Sequence, residues 1–175
     1  MTTRPNDTEY APAYSAYVSL VPETDALSVL DKQAAELTRL ATAVPADRET
    51  FRYAVGKWSI REVFGHVIDT ERVFGYRAFC ISRGEQAGLP AFDENDYVRQ
   101  SDFHNQPLEK LAVEFKTVRD SNLPFLRRLD DQILKRFGTA SGKPISVRAL
   151  LFIMAGHVRH HCNVLHERYD VPIGR

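Results

Sequence analysis

Four stretches of this chain repeat apolar residues at steps of three and four, with glycine, proline and serine between them. That period belongs to helices with one face turned to a core. The first stretch runs from about Thr24 to Val44. It carries Leu27, Leu30, Ala34, Leu37, Leu40 and Ala41 at helical spacing, and Pro45 ends it. Ser59-Ile-Arg-Glu62 is a capping box, so the second helix starts there and runs to about Arg83, stopping at Gly84. The third is expected from about Leu108 to Phe137, kinked at Pro124 and closed by Gly138. Ser146 caps the fourth, which runs to about Tyr169. Residues 1–22, rich in proline and tyrosine, read as an extended arm, leaving 23–175 as one helical domain.

The fold class is therefore all-α, a four-helix bundle. Short loops join antiparallel helices, while the long connection over 84–107 can cross the bundle and leave the second and third helices parallel. The expected order is up-down-down-up, with that connection as a crossover or a lid. The 23 basic and 23 acidic side chains cancel, which gives no electrostatic case for nucleic acid or an anionic membrane as partner. No run of about 18 apolar residues exists, and the N-terminus lacks the apolar core of a secretion signal. Cys80 and Cys162 form no disulfide framework. A cytoplasmic protein acting on a small molecule is the expectation.

The chemistry-bearing residues are histidines. His157 and His161 stand four residues apart on the fourth helix, about 40° apart around its axis, on the face of Leu150, Ile153, Met154 and Val164. His66 shares a face of the second helix with Val63, Thr70 and Val73. Two readings stay open. Each inward imidazole could be a core residue satisfied by a carbonyl or a water. Alternatively, the three could hold one metal ion with a position left open, as in catalytic sites. Asp69, about 60° from His66, and His160, at the edge of the His157 face, are the weaker candidates for orienting a water or taking a proton. Glu71 points away from His66 and reads as a structural ion-pair residue; Arg127, Arg128 and Arg159 read as surface ion-pair partners. Trp58 is expected to staple the helix start against Val63 or a neighbour. Phe64, Ile68 and Phe79 form a second apolar stripe opposite His66, and a helix apolar on two sides is either central or packed on a second copy.

The stretch Gly56-Lys-Trp-Ser-Ile-Arg-Glu-Val-Phe-Gly-His66-Val-Ile-Asp-Thr-Glu71, with Glu94-Asn-Asp-Tyr97 and Ala155-Gly-His157-Val-Arg-His-His161, resembles the DinB-like (DinB/YfiT) superfamily of metalloenzymes. The resemblance spans about residues 22 to 169. It implies an up-down-down-up bundle and a divalent metal on His66, His157 and His161. Zinc is the expected ion, with nickel, iron and manganese as alternatives that imidazole ligands do not distinguish. It also implies homodimers. Characterised relatives of that superfamily include thiol S-transferases, such as bacillithiol transferases and mycothiol-dependent isomerases, and proposed metal-dependent hydrolases; many members have no known reaction. S-transfer from a low-molecular-weight thiol to a small electrophile is the leading expectation. Hydrolysis, and a non-catalytic metal-binding or interaction module, are the alternatives.

Overall fold

The structure is a computed structural model, and it describes residues 3–172. The four expected long helices are α2 (Ala26–Ala43), α3 (Ile60–Ser82), α5 (Leu108–Leu126) and α7 (Val147–Tyr169). The capping box closes as expected: the Ser59 hydroxyl accepts the Glu62 amide at 3.3 Å, and the Glu62 carboxylate accepts the Ser59 amide at 2.6 Å. Ser146 caps α7 by accepting the Ala149 amide.

Contacts between the helix ends set the directions. Arg119, late in α5, donates to the Leu30 carbonyl near the start of α2, while the Glu49 side chain, just past the end of α2, accepts the Leu108 amide. So α2 and α5 are antiparallel. Arg61 donates to the His104 carbonyl and Arg119 binds Glu71, so α3 and α5 run parallel. Arg48 donates to the Tyr169 carbonyl, which sets the end of α7 beside the end of α2. The order is up-down-down-up. Both α2 and α3 pack on α5 and α7, so α2 and α3 face each other across the bundle.

Three expectations are corrected. The third helix stops at Leu126, not Phe137. Asp130 then caps a separate turn, α6 (Asp131–Leu134), by accepting the Ile133 amide. The connection expected between Gly138 and Ser146 is instead a hairpin, β1 (Phe137–Ala140) paired antiparallel with β2 (Lys143–Ser146). Its two turn residues, Ser141 and Gly142, have φ of 52° and 71°. Positive φ at both positions gives the turn twist that suits a two-residue hairpin, and Gly142 adopts it without steric cost. Over its described residues, 3–22, the N-terminal arm is not simply extended. It folds into 3-10 turns at Asp7–Glu9 and Pro12–Tyr14 and a short helix, α1 (Ser15–Ser19), packed on α7. Pro12 pre-sets the backbone for the second turn, and Val18 and Val21 are buried. A last short helix, α4 (Glu94–Gln100), lies in the connection between α3 and α5.

The core has two apolar layers. Between them lies a polar layer that touches all four long helices. The Arg119 guanidinium is bidentate to Glu71, both bonds at 2.8 Å, and also donates to the Leu30 carbonyl and to Gln33. Gln33 in turn donates to the Ala155 carbonyl at 2.7 Å, and Asn122 donates to Glu71 at 2.9 Å. Glu71 is thus the structural ion-pair residue expected from its direction on the helix. The layer ends at Ala155, two residues before His157. No helix of the described residues is long and apolar enough to cross a membrane.

Candidate metal centre

His66 comes from α3, and His157 and His161 come from successive turns of the antiparallel α7. All three are buried. His157 Nε2 lies 3.0 Å from His66 Nε2 and 3.1 Å from His161 Nε2. One ligating nitrogen from each ring falls within 4.8 Å of the others. Tetrahedral ligands about 2.0–2.1 Å from zinc stand about 3.3 Å apart, so this spacing is close to a ligand set.

Backbone carbonyls do not satisfy these rings. No carbonyl or carboxylate among the described residues is hydrogen-bonded to any of the three; the close polar neighbours of these rings are each other. The Nε2 atom of His157 has one lone pair or one proton, and it faces two other nitrogens. His161 Nδ1 is buried with no hydrogen-bond partner among the described residues. Burial holds the rings neutral. It pushes His66 down to about 4, with the charge of nearby His160 adding, and drives His157 and His161 well below the ordinary value. Neutral imidazoles with converging lone pairs are the form that binds a cation, so the three residues could hold one divalent metal.

The surroundings fix the rings and leave one side open. The Trp58 ring lies 4.7 Å from that of His66. Its loop is tied down by Tyr169, whose hydroxyl donates to the Trp58 carbonyl at 2.7 Å. Trp58 therefore packs on a ligand candidate, and not simply as the helix staple expected. The Tyr17 ring, on the arm, sits 5.4 Å from both His157 and His160. It can approach because residue 156 is glycine: a Cβ there would meet the Tyr17 carbonyl oxygen at 1.9 Å.

Two cavities of about 300 Å³ each lie beside the cluster: the first is lined by all three histidines, the second by His161 alone of the three. The first runs along α3 past Thr70 and Phe74 to Arg77, with Tyr17, Phe92 and Glu94 on the other walls. The second lies beyond Trp58 and reaches Tyr53, Lys57 and Asn95. His160 and His161 line both. The Thr70 hydroxyl is buried with no hydrogen-bond partner among the described residues.

Other sequence candidates fall as follows. Asp69 is paired with Arg72 at 3.5 Å and lines neither cavity. The connection between α3 and α5 reaches the site through Phe92, Glu94 and Asn95. Cys162, with its thiol pushed up to about 12 by burial, and Cys80 are not in the cluster. Arg127 pairs with Asp31 and Arg159 with Glu23, as expected of surface ion pairs. Tyr17, Glu94 and Arg77 were missed. Tyr17 and Glu94 reach the site from loop-rich segments whose path no periodicity predicts.

The pattern of the DinB superfamily matches residues 30–165. The chain belongs to the DinB superfamily. No curated protein matches it. Among solved structures it is similar to YfiT from Bacillus subtilis, described as a probable metal-dependent hydrolase with an unusual four-helix bundle topology. The TM-score is 0.72 at 18% identity, over 96% of this chain and 94% of that one. It is also similar to a mycothiol-dependent maleylpyruvate isomerase (TM-score 0.67, 13% identity, 89% of this chain and 66% of that one). A third is the DinB-like protein YjoA from Bacillus subtilis (TM-score 0.56, 23% identity, 80% and 85%). At these identities the likeness is one of fold.

Proposed function

We propose that the protein is a metal-dependent enzyme that transfers a low-molecular-weight thiol to a small electrophile, with His66, His157 and His161 as the metal ligands. The observation that carries this reading is the convergence on one cavity of three uncharged imidazole nitrogens that bond to nothing but one another among the described residues, with a second cavity reaching His161. A divalent ion held by His66, His157 and His161 would keep its double charge, because all three ligands are neutral, and would lower the pKa of a thiol or water brought to it. Two cavities favour a reaction of two organic partners over hydrolysis, which needs one organic partner and water. In the transfer, sulfur forms a bond to the electrophilic carbon, the leaving group departs with the electrons of the bond that breaks, and the thiol proton goes to a base. Glu94 and the neutral His160 are the groups placed to receive it. Trp58 and Tyr17 hold the imidazole planes and narrow the cavity against bulk water. Zinc is the expected ion.

Hydrolysis is the second reading, supported by the description given to YfiT. The test is turnover of 1-chloro-2,4-dinitrobenzene by zinc-loaded protein across a panel of low-molecular-weight thiols and without thiol. Chloride release that needs a thiol is the expected result. Turnover that ignores the thiol removes the transferase reading in favour of hydrolysis.

The homodimer stays a proposal. Phe64 and Ile68 are buried within the chain, which leaves Phe79, 46% exposed, as the part of that stripe open to a second copy. Sedimentation at micromolar concentration reads the state directly.

A further inference from the structure

Three arginines of the described residues are buried: Arg77, Arg119 and Arg148. Two of them have carboxylates. Arg119 is bidentate to Glu71, and Arg148 is paired with Glu9. Arg77 has none: no acidic side chain among the described residues lies within ion-pair distance of it, although it is only 2% exposed. A buried guanidinium without an anion is costly. The two buried pairs show that this fold supplies a carboxylate where a buried arginine serves structure alone.

Arg77 is held in place, but only in part satisfied. Its Nη2 donates to the Pro90 carbonyl at 2.7 Å and to the Ser141 hydroxyl at 2.9 Å. These bonds tie it to the connection on one side and the hairpin on the other. Phe74 and Phe92 flank its charge, with ring centres 5.6 and 5.8 Å away, a partial compensation. Nε and Nη1 have no acceptor among the described residues. Arg77 lines the same cavity as the histidines, and on its other side a cavity of about 260 Å³ walled by Val73, Tyr76, Leu89 and Pro90. On α3 the stripe His66, Thr70, Phe74, Arg77 places it three turns from His66, about 16 Å along the axis between the two Cα atoms. Glu94 lines the cavity near Tyr17 but does not pair with Arg77.

We infer that Arg77 is the anchor for a carboxylate on the substrate, and that the electrophile is a small aromatic or unsaturated acid. Its acid group binds Nε and Nη1 of Arg77, and its reactive end lies toward the three histidines. The walls between are Phe74 on α3, with Phe92 and Tyr14 facing it, which suits a flat apolar body. Arg77 is a substrate-binding residue, separate from the chemistry at the histidines. This inference deepens the proposed function and names the substrate class of its site. Its test is made independent of turnover.

Trp58 is the single tryptophan of the chain and lines the same cavity, so its fluorescence reports occupancy. The probes are 4-nitrobenzoate and the isosteric neutral 4-nitrobenzamide, titrated into zinc-loaded and metal-stripped full-length protein. The wild type is expected to bind the acid at least about tenfold more tightly in both forms, roughly one charge-assisted hydrogen-bond pair. Arg77→Met is expected to lose that preference, while Arg77→Lys keeps part of it. No preference in the wild type overturns the inference without need of any variant. So does a preference that survives in Arg77→Met, or one that vanishes on metal removal, which would put the carboxylate at the histidine end. A thiol-dependent enzyme with no acid preference would sink this inference alone. An acid-binding protein with no thiol-dependent turnover would sink the proposed reaction alone.

Discussion

Glu71 and Arg119 show how much a single residue can decide here. Both side chains are fully buried, and the pair joins α3 to α5 while Arg119 reaches α2. Removing one partner leaves a bare charge in the core, which costs about 3–5 kcal/mol, whereas replacing both with apolar groups is often nearly neutral. Glu71→Leu is therefore expected to lower the urea midpoint steeply, and Glu71→Leu with Arg119→Met to recover most of the loss. A double variant as unstable as the single one would show that the layer acts through its hydrogen bonds to Gln33 and Leu30 and not through charge balance. The Glu71 role was legible in the sequence because helix geometry alone turns it away from His66. Arg77 was not legible, since its meaning lies in the carboxylate it lacks, and the partners that position it, Pro90 and Ser141, are 13 and 64 residues away.

At the scale of elements, the arm and its seat on α7 decide the shape of the site. Gly156 lets the backbone of α1 touch α7 one residue before His157. Gly156→Ala gains up to about 1 kcal/mol in helix propensity, but the new methyl meets a backbone oxygen that cannot rotate away. Overpacking of that kind costs about 1–3 kcal/mol. The expected net result is a lower melting temperature together with faster proteolysis of the arm; an unchanged cleavage rate would mean the arm does not rest there in solution. A second clasp is electrostatic. Burial opposes the charge on Glu9, but hydrogen bonds from Arg148, the Asn6 amide and Ser146 outweigh it and hold its carboxyl below the ordinary value of 4.5. A folded value lower than the unfolded one means the contribution is complete above about pH 4.5 and fades as pH falls below it. The stability difference between wild type and Glu9→Gln should thus be flat from pH 5 to 8 and shrink in more acid solution; a constant difference at pH 3 would refute the clasp. The long helices were legible because their apolar faces and caps are local signals. The arm and the hairpin were not. Turns of three to five residues carry no period, and β1 and β2 hold too few residues, with Gly138 and Pro144 among them, to alternate.

For the molecule as a whole, the question is whether the histidine cluster holds the bundle together or is held by it. The polar layer of Gln33, Glu71 and Arg119 and the two apolar layers on either side are complete without any ion. The histidines sit at the boundary of these layers and open onto cavities. A metal bound there stabilises the fold by mass action, about 2.7 kcal/mol at free metal one hundred times Kd. For a chain of this size that is roughly 5–10 °C in melting temperature. Chelator-treated protein is therefore expected to keep its helical circular dichroism and melt cooperatively, lower by that margin, and to regain the difference on adding zinc. His66→Ala, His157→Ala and His161→Ala should each resemble the stripped wild type and gain little from zinc. Metal affinity should fall by more than the roughly 10–100-fold that loss of a supporting hydrogen bond costs such a site. Loss of helicity on chelation would make the ion a structural element and would weaken the case for catalysis. Three histidine variants that still respond fully to zinc would place the ion elsewhere.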